Sequence, residues 1–296
     1  MYQAQTALFL YAVSPDHMGA GTAFGLIDSP IQREKHTEYP LFAGSGIKGA
    51  IRHHFGQLTE WKNENLLNRL FGPEGGEHYA GAVSFGDAQL IAFPVRCAKQ
   101  GYVYATSPLA LARAARLLAL VGKGEMPSAA APAVGSASII NTALTSGGKL
   151  HLEAFEYTAK TDDALKAVGE WLAANALPQD AANAFFRDKL KTDLVLLTDD
   201  DFGYFVKNAT VVEPHVKIDD KTGTAKDGGL FYVENLPPES LLIAPLMASQ
   251  ERSSNTEKWA AEMVMSQVTG ALNGRLVQMG GDATTGRGQV LVTVMK

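Results

Sequence analysis

Apolar residues in this chain gather into short runs of strand length and into stretches at helical spacing, and the two kinds are interspersed from one end to the other. No apolar stretch approaches the ~20 residues of a membrane-spanning helix. The run 7–13 reads as a buried strand, ended by the turn signals Ser14, Pro15 and Asp16. Strands are also expected at 82–85, 102–105, 149–155, 194–198, 211–218, 230–234, 241–247 and 289–294. Helices are expected at 44–55, 60–71, 108–120, 164–175, 180–189 and 256–273. This order fits an α+β or α/β domain. No internal repeat or linker is visible, so residues 1–296 read as a single domain with insertions.

With 26 basic and 31 acidic residues the net charge is 26 − 31 = −5, which argues against a protein that coats nucleic acid with a broad cationic surface but leaves room for a local groove. The single cysteine, Cys97, excludes a disulfide framework and a thiolate-rich zinc site, and suits a reducing compartment. The N-terminal residues lack the basic region of a signal peptide, so a cytoplasmic location without a membrane partner is expected.

Three stretches stand outside the regular pattern. Residues 14–43 have neither helical nor strand periodicity and read as a long surface excursion, a feature that is usually functional. Residues 123–138, rich in Ala, Gly, Ser and Pro, read as mobile. Residues 219–229 carry charges and glycines between two strand candidates, which predicts a long hairpin over 211–237 that can serve as a lever or clamp.

Glycine is over-represented, at 29 of 296 residues, and its placement is informative. Residues 278–288 hold four glycines, two threonines and Arg287 before the final apolar strand. Such a loop can bring backbone N–H groups close to a phosphate while Arg287 adds charge-assisted bonds; a glycine-rich hairpin with a solvated arginine is the plainer alternative. It matches neither the P-loop nor the dinucleotide fingerprint. The second element is a helix leaving the glycine loop at 44–46, with Ser45 at a plausible N-cap and Lys48 and Arg52 on one face. A helix N-terminus of this kind is a ready anion site. Two such elements in one acidic chain favour a polyanion followed along its backbone over a single small phosphate.

The strings Pro40-Leu41-Phe42-Ala43-Gly44-Ser45-Gly46-Ile47-Lys48-Gly49-Ala50-Ile51-Arg52 and Gly280-Gly281-Asp282-Ala283-Thr284-Thr285-Gly286-Arg287-Gly288 resemble the paired signature of the RAMP superfamily of CRISPR proteins. Asp28-Ser29-Pro30-Ile31-Gln32-Arg33-Glu34 narrows the resemblance to the repeating backbone subunits of type III-B (Cmr) effector complexes. It continues through Phe71-Gly72-Pro73, residues 83–88, Thr106-Ser107-Pro108 and the hairpin, and so covers nearly the whole chain.

The resemblance implies an α+β fold, a modified ferredoxin-like (RRM-like) palm with insertions and a projecting β-hairpin thumb. It implies several copies of the chain stacked in a helical filament on a CRISPR guide RNA, beside other Cmr-complex subunits. Each thumb would interrupt the duplex with a complementary target RNA, which is then cut once per subunit at a flipped-out nucleotide. The implied reaction depends on a divalent metal, Mg²⁺ or Mn²⁺, and leaves a 2′,3′-cyclic phosphate and a 5′-hydroxyl. The catalytic aspartate of the family string falls on Asp28, which can accept a proton or ligate the metal.

His17 matches a family position near the cut and can act as acid or base, or can simply bond a backbone carbonyl. Glu234 and Tyr232 fall where relatives place acidic and aromatic groups near the target strand, although Tyr232 can equally pack into the hairpin base. Asp282 reads more readily as a turn-stabilising side chain than as part of the site. Lys48, Arg52 and Arg287 are the candidate guide-phosphate contacts, with Ser45, Gly280, Gly281, Thr284 and Thr285 as neutral donors. His53 and His54 could join them or be merely solvated, and Arg252 is a candidate contact to a neighbouring subunit. The alternatives are a non-catalytic scaffold that only spaces the guide, a precursor-processing RNase with a histidine base, and a phosphate-loop enzyme acting on a nucleotide. Asp28 in the expected string favours the nuclease over the scaffold. The hairpin disfavours the processing enzyme, and the absence of a Walker lysine disfavours the nucleotide enzyme.

Overall fold

The structure, a computed structural model, describes residues 2–22, 25–75 and 79–295; Ala23 and Phe24 of the 14–43 excursion lie outside the described residues. The first part of the chain forms β1 (Ala4–Ala12), β2 (Leu41–Phe42), α1 (Gly44–Gln57), α2 (Glu64–Phe71), β3 (Val83–Phe85), β4 (Ala88–Cys97), β5 (Gly101–Thr106) and α3 (Pro108–Leu120). The middle forms β6 (Ser136–Ile139), β7 (Thr145–Ser146), β8 (Lys149–Leu152), β9 (Phe155–Thr161), α4 (Asp163–Asn175), α5 (Ala184–Thr192), β10 (Leu194–Leu196) and α6 (Asp199–Asn208). The last part forms β11 (Val211–Ile218), β12 (Ala225–Asn235), β13 (Leu241–Ala248), α7 (Ala261–Leu272), β14 (Arg275–Gln278) and β15 (Gln289–Val294).

The main sheet runs β14-β15-β1-β13-β4-β5-β10-β6-β9-β8-β7. Cys97 on β4 meets Leu152 on β8, so β4, β5, β10, β6, β9 and β8 close into a barrel-like ring. Mixed pairing of this kind, with helices on both faces, is an α+β arrangement. The central strands explain their own sequences. Leu8 and Leu10 enter one core with Leu242 and Ala244, while Phe9 and Tyr11 enter a second with Leu241 and Ile243. Strands buried on both faces read as continuous apolar runs. α1 and α7 cover the first core through Ile47, Ile51, Phe55, Val264 and Val268; α3 and α4 cover the second through Leu111, Leu118, Leu165 and Leu172. Among the described residues no helix is long and apolar enough to cross a membrane.

Several elements differ from the expectation, each for a local reason. β4 went unseen because Pro94 interrupts its run. The proline is tolerated because it stands beyond Ala92, the last residue paired with β13, and before the contact of Cys97 with β8. The expected strand 149–155 is a hairpin, β8 and β9, turning at Glu153 with φ 49°. α6, hidden by Gly203 and its acidic first turn, is capped by Thr198, whose hydroxyl accepts from the Asp201 N–H. The helix expected from 60 is broken before α2, which Asn63 caps; α5 and α7 begin later than expected, and β14 was not anticipated. Residues 123–138 are only in part irregular: Met126 is buried in the second core and the end of the segment belongs to β6. β11 and β12 form a separate two-stranded sheet, the expected hairpin, and β12 starts at Ala225, inside the expected tip.

Candidate functional site

The excursion 14–43 is fastened by three consecutive residues of its own string. Gln32 accepts from the Ala43 N–H at 3.1 Å and donates to the Gly19 carbonyl at 3.1 Å, joining the entrance of α1 to the first glycine loop. Arg33 donates to the Glu38 carbonyl (2.7 Å), to the Val206 carbonyl in the last turn of α6 (3.0 Å) and to Glu234 (2.5 Å). Glu34 receives both terminal nitrogens of Arg113 on α3, the bidentate arrangement that fixes a carboxylate most firmly. These structural duties were not legible beforehand, and neither was the partner Arg113.

Asp28 is exposed at the root of the hairpin, where its Oδ2 accepts from the Tyr232 N–H at 2.7 Å. Its Oδ1 has no hydrogen-bond partner among the described residues. Ser29 continues the contact as a parallel bridge to Val233, its N–H donating to the Tyr232 carbonyl and its carbonyl accepting from the Glu234 N–H. Tyr232 pairs with Pro214, three pairs from the hairpin's root, and its side chain is 38% exposed. Glu234, at 3% exposure, lies under the excursion, where it accepts from Arg33, Thr210 and the Ile31 N–H. His17 Nδ1 lies 2.6 Å from the Glu234 carbonyl and Nε2 lies 3.4 Å from the Ser29 hydroxyl. The carbonyl can only accept, so Nδ1 carries the proton, and in a neutral ring Nε2 is a bare acceptor beside the Asp28 loop.

The C-terminal glycine loop packs on the same residues. The Gly281 N–H donates to the His17 carbonyl at 2.9 Å. Gly280 has φ 76°, and a Cβ there would come within 2.7 Å of both Asp16 Oδ1 and the His17 carbonyl oxygen. Thr284 and Thr285 are exposed in a single 3-10 turn, which the Asp282 backbone carbonyl stabilises; the Asp282 side chain makes no cap bond. Arg287 is ion-paired with Glu213 on the hairpin, so it is not a freely solvated arginine.

Asp16, beneath this loop, is fully buried, and neither carboxyl oxygen has a hydrogen-bond partner among the described residues. Burial pushes its carboxyl well above the ordinary range. A group raised on folding adds stability that is complete below its unfolded pKa and is lost as pH rises through the folded value. The melting-temperature difference between Asp16→Asn and wild type is therefore expected to grow in the variant's favour from pH 4.5 to pH 8. A difference constant with pH, in paired thermal melts, would mean that Asp16 is already charged in the fold.

At α1 the sequence expectation needs two changes. The N-cap is Ala43, and Ser45 is exposed within the first turn; the first N–H, on Gly44, is already taken by Asp87 Oδ1 at 2.7 Å. Arg52 is committed to the Gly72 carbonyl (2.6 Å), Asn68 (3.0 Å) and Glu74 (3.0 Å), bonds that tie α1 to the end of α2. Lys48 has no ion pair among the described residues, and burial followed by the like charge of Arg52 lowers its pKa. Of the candidate guide contacts it is the cation most available to a phosphate. His53 bonds Gln57 at 2.9 Å, burial followed by the charge of Arg275 lowers the pKa of His54, and Arg252 lies over the Tyr2 ring at 5.9 Å. Among the described residues no three His, Cys, Asp or Glu side chains group to hold a metal ion.

Residues 9–291 match the RAMP superfamily. Over 287 residues the chain is 34% identical to the CRISPR system Cmr endoribonuclease Cmr4 of Pyrococcus furiosus, covering 96% of this chain and 94% of that protein. This chain belongs to the RAMP superfamily, in its Cmr4 family. A second relative of this RAMP chain, the CRISPR system CMR subunit Cmr4 of Saccharolobus solfataricus, is 24% identical over 304 residues, 95% of this chain and 94% of the relative. A crystal structure of oligomeric Cmr4 from Pyrococcus furiosus superposes with a TM-score of 0.75 at 29% identity over 98% of this chain and 97% of that one. A chain of the type III-B Cmr-beta complex bound to cognate target RNA shares the fold of this RAMP protein at TM-score 0.72 and 19% identity, covering 99% and 98% of the two chains.

Proposed function

We propose that this chain is a guide-RNA-binding backbone subunit of a cytoplasmic type III-B CRISPR effector, and that it cleaves complementary target RNA at regular intervals, one cut per copy. The observation that carries this reading is the exposed Asp28 carboxylate hydrogen-bonded to the root of the β11–β12 hairpin, beside two glycine loops suited to an RNA backbone. The name of the Pyrococcus furiosus relative supports cleavage, and its oligomeric crystal structure supports assembly of like copies. In this reading β1, β13, β4 and β15, with α1 and α7 on one face, correspond to a modified ferredoxin-like palm, and copies of the palm follow one guide RNA with other Cmr subunits alongside.

For a cut that leaves a 2′,3′-cyclic phosphate, the 2′-oxygen bonds to the adjacent phosphorus as the bond to the 5′-oxygen breaks. The 2′-hydroxyl gives up its proton and the leaving 5′-oxygen takes one. A nucleotide splayed out by the hairpin can reach the in-line geometry. Asp28 Oδ1 is placed to accept or orient the 2′-hydroxyl proton, because Oδ2 is anchored to the Tyr232 N–H. Neutral His17 presents Nε2 as an acceptor, and once protonated it could donate to the leaving oxygen.

Among the described residues no side-chain cluster builds a cation site, but Asp28 Oδ1 suits a Mg²⁺ or Mn²⁺ ion held mainly by RNA phosphates, the usual pattern for such ions. When bound, the ion would lower the pKa of the attacking hydroxyl and neutralise phosphate charge. The reading is tested by incubating the assembled, guide-loaded complex with end-labelled complementary RNA, with and without EDTA. It expects evenly spaced fragments with cyclic phosphate ends, lost on chelation.

Two binding results are also expected. Lys48→Ala weakens guide binding evenly across sequences and lowers the slope of log K against log salt by about one unit. An unchanged slope removes Lys48 from the phosphate contacts. Glu213→Gln frees Arg287 from its carboxylate and tightens RNA binding by up to about fivefold at low salt. Fluorescence anisotropy reads both, and unchanged affinity for Glu213→Gln would mean that Arg287 stays with the hairpin when RNA is bound.

A further inference from the structure

We infer that Glu234 is a positioning residue which, together with Arg33 and Thr210, sets the place of Asp28 and His17 without itself touching RNA. This rests on the reading of Asp28 as the catalytic carboxylate. Glu234 is 3% exposed, and each of its side-chain acceptor contacts points inward: Oε1 to Arg33 (2.5 Å) and to the Thr210 hydroxyl (2.8 Å), Oε2 to the Ile31 N–H (3.1 Å). Its main chain holds the Asp28 segment again and the His17 ring, the N–H donating to the Ser29 carbonyl at 3.0 Å and the carbonyl accepting from His17 Nδ1 at 2.6 Å.

One residue therefore joins the Asp28 segment on both sides of Pro30, the His17 ring, and Thr210 at the start of the hairpin. Arg33 extends the hub to the end of α6 through the Val206 carbonyl. A carboxylate enclosed in this way cannot accept a proton from a substrate hydroxyl, yet moving it shifts the carboxylate and the imidazole together. Misplacement of about 1 Å is enough to cost a reaction about a hundredfold. The Thr210 and Arg33 bonds also couple the hairpin's base to the reactive loop, so a duplex that displaces the hairpin acts on Asp28 through the same carboxylate.

The test is a double-mutant cycle in the guide-loaded complex, reading single-turnover cleavage and target affinity. Glu234→Gln and Arg33→Gln are each expected to slow cleavage at least tenfold with affinity within threefold. The double variant should be no slower than the worse single one, because both break the same link. The pH–rate profile of Glu234→Gln should keep both limbs, since no titrating catalytic group is lost. Multiplicative losses or a missing limb would overturn the inference and make Glu234 a catalytic acid or base.

Hydrogen exchange measured on the same variants without target reads the loop independently of cleavage. Faster exchange at Ile31 and its neighbours is expected in Glu234→Gln and, more weakly, in the milder Thr210→Val; unchanged protection in both overturns the inference. A wild-type complex that fails to cut while the variants still loosen the loop would count against the nuclease reading and leave the positioning role standing.

Discussion

Asp28→Asn is expected to slow target cleavage at least about a hundredfold, the lower end of what a positioned acid–base group contributes, while target affinity stays within threefold. The substitution keeps the local geometry. An asparagine carbonyl can still accept the Tyr232 N–H that now bonds Oδ2 at 2.7 Å, and the parallel bridge of Ser29 to Val233 does not involve the side chain. What is lost is the negative charge and proton affinity at the exposed Oδ1. Against a polyanion one exposed carboxylate adds no attraction, so its removal leaves binding unchanged or slightly tighter. Single-turnover rates beside equilibrium binding separate the two effects, and an equal loss of both would mean that Asp28 supports the loop and not the chemistry.

Gly288→Ala is expected to have the largest effect on the fold around the C-terminal glycine loop. Gly288 has φ 71°, and a Cβ there would lie 1.9 Å from the Met279 carbonyl oxygen and 2.5 Å from Gln278 Nε2. Its N–H donates to the Pro15 carbonyl at 2.9 Å and its carbonyl accepts from the Met279 N–H at 2.8 Å, so the clash falls on the pair of bonds that closes the glycine loop against the 14–43 excursion. Left-handed strain and overpacking together cost about 2–4 kcal/mol, a fall in melting temperature of about 5–15 °C. Guide RNA binding should weaken with it. Gly286→Ala separates the two contributions: φ is 81° there, but a Cβ would meet nothing within 4 Å. It should lower the melting temperature by clearly less, and equal losses in both variants would rule out the clash as the cause.

Asp28 stood out in the sequence because the string Asp28-Ser29-Pro30-Ile31-Gln32-Arg33-Glu34 resembles that of a known family. The sequence hid the work of the residues that follow. Gln32, Arg33 and Glu34 look like a solvated polar run, but Arg33 bonds Val206 and Glu234, 173 and 201 positions away, and Glu34 bonds Arg113, 79 positions away. Local patterns carry no signal of such distant partners. Glu234 shows the same limit: it shares a face of β12 with Tyr232, but Ile31 and Arg33 cover only Glu234, so strand periodicity cannot tell the buried acid from its exposed neighbour.

The fold was read well where apolar runs were unbroken, as in β1, β13, β15 and α3, whose Ser107 cap and leading Pro108 mark its start. It was read poorly where a single residue contradicted its element, Pro94 in β4 and Gly203 in α6. In both cases tertiary contacts override the local preference.

The central claim, one cut per copy made by this chain, is tested most directly by assembling the complex from defined mixtures of wild-type and Asp28→Asn subunits. A labelled complementary RNA then reports each cut as a separate band. If every copy cuts with its own Asp28, each band's initial rate falls in proportion to the mutant fraction, spacing is unchanged, and the pure mutant complex gives no ladder. A ladder of undiminished rate from the pure mutant complex would contradict the account, and would assign the chain the role of a ruler for an active site on another subunit.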